Sequence, residues 1–498
     1  MLGTYITFPE LLILLPLFAG LLCFFTSKKI GARTIAIVSS VLVLAVSFAS
    51  LLYTDPKFAA YNNVSYIWLK YLGCTYYVGL DATGRVLTLL TALVFPLIFV
   101  ISNKNEYRHQ SSFYGLMLLT QAGLMGVFCA MDALLFYFYW ELALIPVYFL
   151  CSRWGGERRI QATFKFFVYT FAGSLLMLTG IIYVYLHTGT RLFEDGTISA
   201  HSFSMHSFYN ATITGADKNW LFWLFFAAFA VKMPIFPLHT WQPDTYDQSP
   251  TTVTMVLSGL MVKMGLFGVI RWLIPVFPAA SIRYGHIIII LSIIGIIYAS
   301  CIAIVQDNIK KLVAYSSIAH IGLMCAGLFS LNSIGLQGVL VQMFSHGINI
   351  IGMWMIVDQL ERKTGIKDMS QMGGVALKAP ALTIFVIIIA LANIALPLTN
   401  AFVGELMIFS GIWQFNTGYA AVAGLSIILA AVYTLNMIQR VFYGESSERV
   451  SVISDINTRE KIILSVVVVS IFVFGVYPQP MIDLTREAVT TLRLSVGK

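Results

Sequence analysis

The chain has 498 residues, of which 58% are hydrophobic and only 11% are charged. Soluble domains usually carry about 25% charged residues, so this composition excludes a protein whose surface faces water on every side. The formal net charge of +8 is dispersed over separate loops, which excludes the clustered basic surface of a nucleic-acid-binding protein.

Apolar segments follow one another along nearly the whole chain. A bilayer core of about 30 Å needs about 20 apolar residues per helix, and continuous runs favour helices over the short alternating strands of a barrel. The sequence therefore predicts an all-α polytopic protein in the lipid bilayer, with about fourteen transmembrane helices. Their centres lie near Leu15, Val43, Leu93, Gly123, Leu142, Leu176, Ala228, Leu260, Leu291, Ile318, Ile348, Ala392, Leu429 and Val468.

The first segment is predicted to remain as helix one. A cleaved signal peptide carries its positive charge before the apolar core, whereas Glu10 precedes this core and Lys28, Lys29 and Arg33 follow it. The loops after odd-numbered helices hold 19 of the 31 Lys and Arg residues, and the opposite side holds 9. The positive-inside rule predicts that the odd loops are cytoplasmic and that both termini lie outside.

Two segments contain prolines beside an ionisable residue. The seventh reads FFAAFAVKMPIFPLHTWQPD and places Lys232 beside Pro234 and Pro237, and the twelfth reads ALANIALPLTNAFVGELMIF and places Pro397 before Glu405. Proline removes a backbone donor, so both helices are predicted to break there. The breaks are five helices apart and therefore run in opposite directions, which is typical of inverted repeats with an ion site near the midplane. Two ordinary proline kinks are the alternative.

Few charges lie deep inside the predicted spans: Glu141 in helix five, Lys232, Lys263 in helix eight, and Glu405. A charge at the bilayer centre costs at least ~2.5–3.5 kcal/mol, so such residues usually mark an ion pathway. Burial lowers the proton affinity of a lysine and a nearby carboxylate raises it, which predicts that Glu141 switches Lys232. Arg271, near the outer end of helix eight, is interpreted as a snorkelling anchor.

Three histidines extend this set: His239 after the first break, His320 in helix ten and His346 in helix eleven. Histidine titrates at about pH 6.5 and exchanges protons at two nitrogens, so these are candidate relay groups or else hydrogen-bonded core residues. A haem held by facing histidines is disfavoured because a second pair is missing. Six scattered cysteines and the lack of a nucleotide-binding loop predict no metal-binding or cofactor-binding residue in this chain.

Together these motifs resemble the antiporter-like subunits of respiratory complex I, the proton-pumping NADH:quinone oxidoreductase. The resemblance covers the chain from about helix three to helix thirteen. It rests on FYWELALIPVYFL with GGERRIQATFKFFVYT, KMPIFPLHTWQPD, Val262-Lys263, DNIKKLVAYSSIAHIG, SHG and LPLTNAFVGE. The resemblance implies helices one to three in residues 1–110, a first repeat of helices four to eight in 111–275, an inverted repeat of helices nine to thirteen in 284–443, and helix fourteen with a tail in 444–498.

The resemblance also assigns residues. Glu141 matches the family's carboxylate of helix five, and Lys232 and Lys263 match its lysines of helices seven and eight. One of three sister subunits has glutamate in helix twelve where the others use lysine, and Glu405 indicates that class. The chain also stops soon after helix fourteen, without the long lateral helix of another sister. The family commonly reads W-L-P-D-A-H after helix seven, whereas this chain reads W-Q-P-D-T-Y, so no role of that histidine carries over to Tyr246.

The implied function is proton translocation coupled to electron transfer in partner subunits. The implied partners are other membrane subunits, including sister antiporter-like subunits, which together with peripheral subunits hold FMN, iron–sulfur clusters and quinone. The implied location is a bacterial inner membrane. Protons are predicted to reach Lys232 or Lys263 from the cytoplasm and to pass by His320 or His346 to Glu405. A subunit of a multisubunit sodium/proton antiporter or of a membrane-bound hydrogenase is the alternative.

Overall fold

A computed structural model of the chain describes residues 6–26, 31–102, 107–193, 196–445, 450 and 453–497. Lys28, Lys29, Lys104 and Arg449, which contribute to the basic-residue count of the odd loops, lie outside the described residues, as does Lys498 of the tail.

Helices make up most of the described chain, and their order matches the predicted segments. The main helices are α1 (Phe8–Phe25), α2 (Ala32–Leu51), α3 (Ala82–Ile101), α4 (Gln110–Cys129), α5 (Ala133–Trp154), α6 (Arg159–Leu186), α7a (Gly215–Lys232), α7b (Trp241–Gln248), α8 (Thr251–Val276), α9 (Pro278–Val305), α10 (Ile309–Phe329), α11 (Ser333–Thr364), α12a (Pro380–Asn393), α12b (Asn400–Phe415), α13 (Thr417–Tyr443), α14 (Thr458–Val476) and α15 (Gln479–Ser495). Short helical turns cover Pro56–Phe58, Ala59–Asn62, Lys70–Leu72, Met205–Tyr209, Met369–Gln371 and Val375–Lys378.

Eleven of the described helices are long and apolar enough to cross a membrane without a break. The other predicted spans are the two broken helices, α7 and α12, and α14, which meets the amphipathic α15 at an angle of 69°. The prediction of an all-α polytopic membrane protein is confirmed.

Both predicted breaks are present in the backbone. Helix α7a ends at Lys232, and residues 233–240, with Pro234 and Pro237, form turns before α7b begins. Residues 394–399, with Pro397, separate α12a from α12b in the same way. Since proline donates no backbone hydrogen bond, each interruption follows from the sequence.

Two small antiparallel hairpins lie in the loops on the side opposite the basic loops. Strand β1 (Asn63–Leu69) pairs with β2 (Cys74–Gly79), and β3 (Arg191–Leu192) pairs with β4 (Ile198–Ser199). Asp132 caps α5 by accepting from the amides of Leu134 and Leu135, and it also accepts from the amide of Thr75 at 3.1 Å. One carboxylate therefore joins the first hairpin to a membrane helix.

The core lies around α8 and α11, whose spans are buried along their whole length, and α10 is nearly as deeply placed. Fewer than half of the residues in the spans of α1, α2, α6 and α13 are buried. Helix α8 contains two π-helical segments, Leu257–Met261 and Val269–Leu273, on either side of Lys263. Such segments are rare and are frequent at functional sites. Lys263, His320 and His346 thus stand on the central helices α8, α10 and α11.

Candidate functional site

Lys232 is buried at the last residue of α7a. Its Nζ lies 5.5 Å from the centre of the Trp140 ring and 5.9 Å from that of Phe166. Within the described chain, Nζ has no hydrogen-bond partner. The ring faces and the C-terminal end of the half-helix both favour a positive charge. The ammonium is therefore stabilised without being fixed to one acceptor.

Glu141 lies on α5 next to Trp140 and is half-buried. It is the carboxylate whose field reaches Lys232. The Oε1 atom of Glu141 has no hydrogen-bond partner among the described residues. The predicted pair is thus placed to interact through space, with neither charge held in a direct hydrogen bond to the other.

Lys263 lies at the centre of a second polar cluster and is fully buried. Its Nζ donates to the carbonyl oxygen of Ser258 at 3.1 Å and lies 2.8 Å from Nδ1 of His346 on α11. The Ser258 carbonyl belongs to the π-helical segment, five residues before Lys263. The wider helical turn leaves this carbonyl within reach of the lysine side chain.

The cluster continues from His346 to Glu405. The rings of His346 and His320 have centroids 5.5 Å apart and planes inclined by 49°. Nδ1 of His320 lies 3.1 Å from Oε1 of Glu405, and the same oxygen accepts from Nε2 of Gln342 at 3.0 Å. Four of the predicted residues therefore form one buried chain, Lys263–His346–His320–Glu405, which we call the central polar chain.

A small cavity, about the size of one water molecule, adjoins the far end of the central polar chain. Its walls include His320, Glu405, Ser300, Ser426 and Tyr433. Glu405 is the carboxylate of this cavity, which fits the prediction that it is the last residue of the route.

His239 and Lys232 are not joined to the central polar chain by a hydrogen bond, ion pair or ring contact in the described part of the protein. His239 is buried in the break of α7, between the rings of Phe236 (5.7 Å) and Tyr298 (5.2 Å). Its Nδ1 atom has no partner in the described chain. The structure thus brings four of the predicted residues together in the central polar chain and leaves Glu141, Lys232 and His239 outside it.

Arg271 differs from its interpretation as a snorkelling anchor. It is buried, forms an ion pair with Asp81 and donates to the carbonyl oxygens of Phe128 (3.2 Å) and Ala130 (3.0 Å). The guanidinium also lies 4.4 Å from the Phe267 ring centre. The snorkelling interpretation is wrong, because acceptors from α3 and α4 surround a side chain that one helix alone would leave in lipid.

A network of charges ties helix ends together on the side of the basic loops. Lys310 of α10 pairs with Glu361 of α11 at 3.0 Å, and Thr251 of α8 donates to the same carboxylate at 3.1 Å. Lys367 lies 3.6 Å from Glu361 and 3.5 Å from Asp247 of α7b. The helices that carry Lys263, His320 and His346 are thus anchored to each other and to the second half of helix seven.

Residues 130–430 match the family described as NADH:quinone oxidoreductase/Mrp antiporter, transmembrane. A relative in Rhodobacter capsulatus, NADH-quinone oxidoreductase subunit M, is 36% identical over 467 residues, which cover 93% of this chain and 90% of the relative. F(420)H(2) dehydrogenase subunit M of Methanosarcina mazei is 31% identical, with 98% and 99% covered. A chain of respiratory complex I from Thermus thermophilus with bound NADH superimposes with a TM-score of 0.88 at 27% identity, covering 98% of this chain and 99% of that chain.

Proposed function

This chain belongs to the NADH:quinone oxidoreductase/Mrp antiporter transmembrane family, and within it to the subunit M group, and on this premise we propose that it translocates protons as a membrane subunit of NADH:quinone oxidoreductase. The observation that carries the proposal is the central polar chain. It places four proton-exchanging side chains in sequence through the most deeply buried helices. Residues of this kind inside a membrane mark proton routes in pumps and transporters.

The ligand chemistry favours protons over sodium at this site. Hard cations are held by several oxygen ligands, whereas the central polar chain presents an ammonium, two imidazoles and one carboxylate. A lysine ammonium offers donors and no acceptor, so it repels a metal cation. The alternative of a sodium/proton antiporter subunit therefore finds less support in these residues than proton transfer does.

Proton transfer along the chain follows from the donor and acceptor atoms. The Lys263 ammonium donates to Nδ1 of neutral His346, which becomes charged as the lysine becomes neutral. His346 then releases the proton on Nε2, which is buried and has no protein partner in the described chain, so a water molecule carries it to His320. His320 passes a proton from Nδ1 to the Glu405 carboxylate, 3.1 Å away.

Glu405 and Glu141 act at opposite ends of the proposed route. Glu405 adjoins the small cavity, and we assign proton release to it. Glu141 acts on Lys232 through its field, so movement of that carboxylate changes the proton affinity of the lysine. In this proposal Lys232 and His239 serve the first repeat, helices α4 to α8, while the central polar chain leads into the inverted second repeat, helices α9 to α13.

The electron-transfer chemistry belongs to partner subunits in this proposal. The Rhodobacter capsulatus relative is a subunit of NADH-quinone oxidoreductase, so we place FMN, iron–sulfur clusters and quinone in partners of this chain, beside sister antiporter-like subunits. The Methanosarcina mazei relative belongs to an F(420)H(2) dehydrogenase, which makes a complex with an electron donor other than NADH the second candidate. We assign the protein to a bacterial inner membrane, with both termini outside.

The test is proton uptake by sealed membrane vesicles that contain the complex with Lys263→Met. Methionine keeps most of the buried volume and removes the only ammonium that contacts His346 in the described chain. NADH-driven proton uptake should fall sharply, because the first donor of the central polar chain is lost. Assembly should persist, since a neutral side chain costs less than a charge in this interior.

NADH oxidation with an artificial electron acceptor and the amount of assembled complex serve as controls. An assembled Lys263→Met complex that takes up protons at the native ratio would contradict the proposal. Uptake of radioactive sodium driven by an imposed pH gradient without NADH would instead support the antiporter alternative, and co-purifying subunits would identify the electron donor.

A further inference from the structure

Three buried polar side chains that the proposed route does not use lie together beside Lys263: Gln242 and Tyr246 on α7b, and Ser258 on α8. All three side chains are fully buried. In the described chain, both amide atoms of Gln242 and the hydroxyls of Tyr246 and Ser258 have no direct hydrogen-bond partner. The Tyr246 hydroxyl nevertheless faces the side chains of both Gln242 and Ser258.

Buried polar atoms are almost always bonded to protein or to ordered water. Four such atoms that face one another without direct bonds satisfy the polarity that a buried water requires. A neutral packing role fits poorly, because leaving each of these groups unsatisfied costs about 1–3 kcal/mol. This arrangement fits a cluster that holds ordered water.

Backbone contacts place this cluster next to Lys263. Gln242 and Tyr246 are four residues apart and share one face of α7b. The Tyr246 ring packs edge-on against Trp354 of α11 at 5.8 Å, and its carbonyl oxygen accepts from the Thr254 hydroxyl at 3.4 Å, which holds α7b against α8. Ser258 supplies the carbonyl that Lys263 contacts at 3.1 Å. One end of the cluster is thus the residue that binds the Lys263 ammonium.

We propose that the Tyr246 hydroxyl, with Gln242, Ser258 and the water between them, is a proton-relay site that delivers protons from the second half of the broken helix to Lys263. This inference rests on the proposed function. A phenol hydroxyl accepts and donates at the same oxygen. A proton from water binds the Tyr246 oxygen while the phenolic proton leaves for the water beside Ser258, and that water protonates the neutral Lys263 amine. Tyr246 ends the transfer as a neutral phenol, so no charge remains in the cluster.

The decisive variant is Tyr246→Phe, which removes one oxygen and keeps the ring that packs against Trp354. NADH-driven proton uptake should fall about tenfold, less than the 10²–10⁴-fold typical of losing an acid–base group, because water partly replaces the hydroxyl. The slowed proton step should also increase the solvent deuterium isotope effect on uptake. Tyr246→His should restore most of the uptake, since imidazole again offers a donor and an acceptor. A purely structural tyrosine would lower the amount of assembled complex without changing the isotope effect.

Tyr114→Phe is the matched control, because Tyr114 is another fully buried tyrosine whose hydroxyl bonds Ser102 at 2.9 Å, away from the cluster. Its uptake and isotope effect should stay native. If Tyr246→Phe impairs assembly, Ser258→Ala tests the same relay with a smaller change. Native uptake and a native isotope effect in these variants, together with loss of uptake in Lys263→Met, would overturn the relay and leave the proposed function standing. Native uptake in all of them, Lys263→Met included, would overturn the proposed function itself.

Discussion

Replacing Glu405 by glutamine isolates the last step of the central polar chain. The amide has nearly the shape of the carboxyl group, and its oxygen still accepts from Nε2 of Gln342. It removes the negative charge that lies 3.1 Å from Nδ1 of His320. At an effective dielectric constant of about 20, two unit charges at this separation interact by about 5 kcal/mol.

That energy sets the size of the expected effect. Since about 1.4 kcal/mol corresponds to a tenfold change in rate, loss of the full interaction would slow transfer by more than 10³-fold. Part of the loss is recovered, because the glutamine dipole remains and water can accept a proton at the adjoining cavity. We therefore expect Glu405→Gln to reduce proton translocation through this subunit by on the order of 10²-fold.

The assay compares initial proton uptake with NADH oxidation in sealed vesicles that contain equal amounts of assembled complex. Glu460→Gln is the matched control, because Glu460 is a glutamate as deeply buried as Glu405, and its side chain accepts from the amide of Asn457 at the start of α14. Glutamine serves that capping role as well, so uptake should stay native. A Glu405→Gln complex that pumps at the native ratio would refute the assignment of Glu405 as the release group.

Two other results are expected from the remaining parts of the proposal. Glu141→Gln should reduce uptake severalfold without preventing assembly, because the buried Lys232 loses its carboxylate partner; uptake at the native ratio would show that the two residues do not act as a pair. Cysteines placed at positions 158 and 362 should react with impermeant thiol reagents only from the cytoplasmic side, since Arg158 lies in a basic loop and Arg362 in the last turn of α11 beside another, and labelling of either from outside would reverse the orientation.

The sequence identified the members of the central polar chain and placed the histidines between lysine and Glu405, but not which lysine and which histidine make contact. Ionisable residues inside apolar runs are costly to bury and usually functional, and this pattern predicts Lys263, His320, His346 and Glu405 as site residues. The contacts that join them span separations such as 83 residues between Lys263 and His346. Helix packing determines which of these side chains come into contact, and local sequence patterns do not predict that packing.

Other residues escaped prediction for related reasons. Gln342 and Ser258 contact the two ends of the central polar chain, yet a single glutamine or serine in an apolar helix carries no distinguishing pattern in one sequence. Arg271 was misinterpreted because its partner, Asp81, begins another helix far away in the chain. The hairpin of β1 and β2 was not foreseen, since hydropathy locates spans and says little about the loops between them.

The second break shows most clearly where sequence information ends. Pro397 predicts that α12 is interrupted, but not the form of the interruption. Ala395 and Leu398 adopt left-handed conformations, with φ of 58° and 75°, which cost non-glycine residues of order 1–3 kcal/mol each. Such a backbone persists only where its surroundings hold it, and here α14 supplies the support: Gly475 lies so close to the carbonyl of Leu398 that a Cβ atom would collide with it. The break that precedes Glu405 therefore depends on Gly475, which lies 70 residues after Glu405, as much as on its own proline.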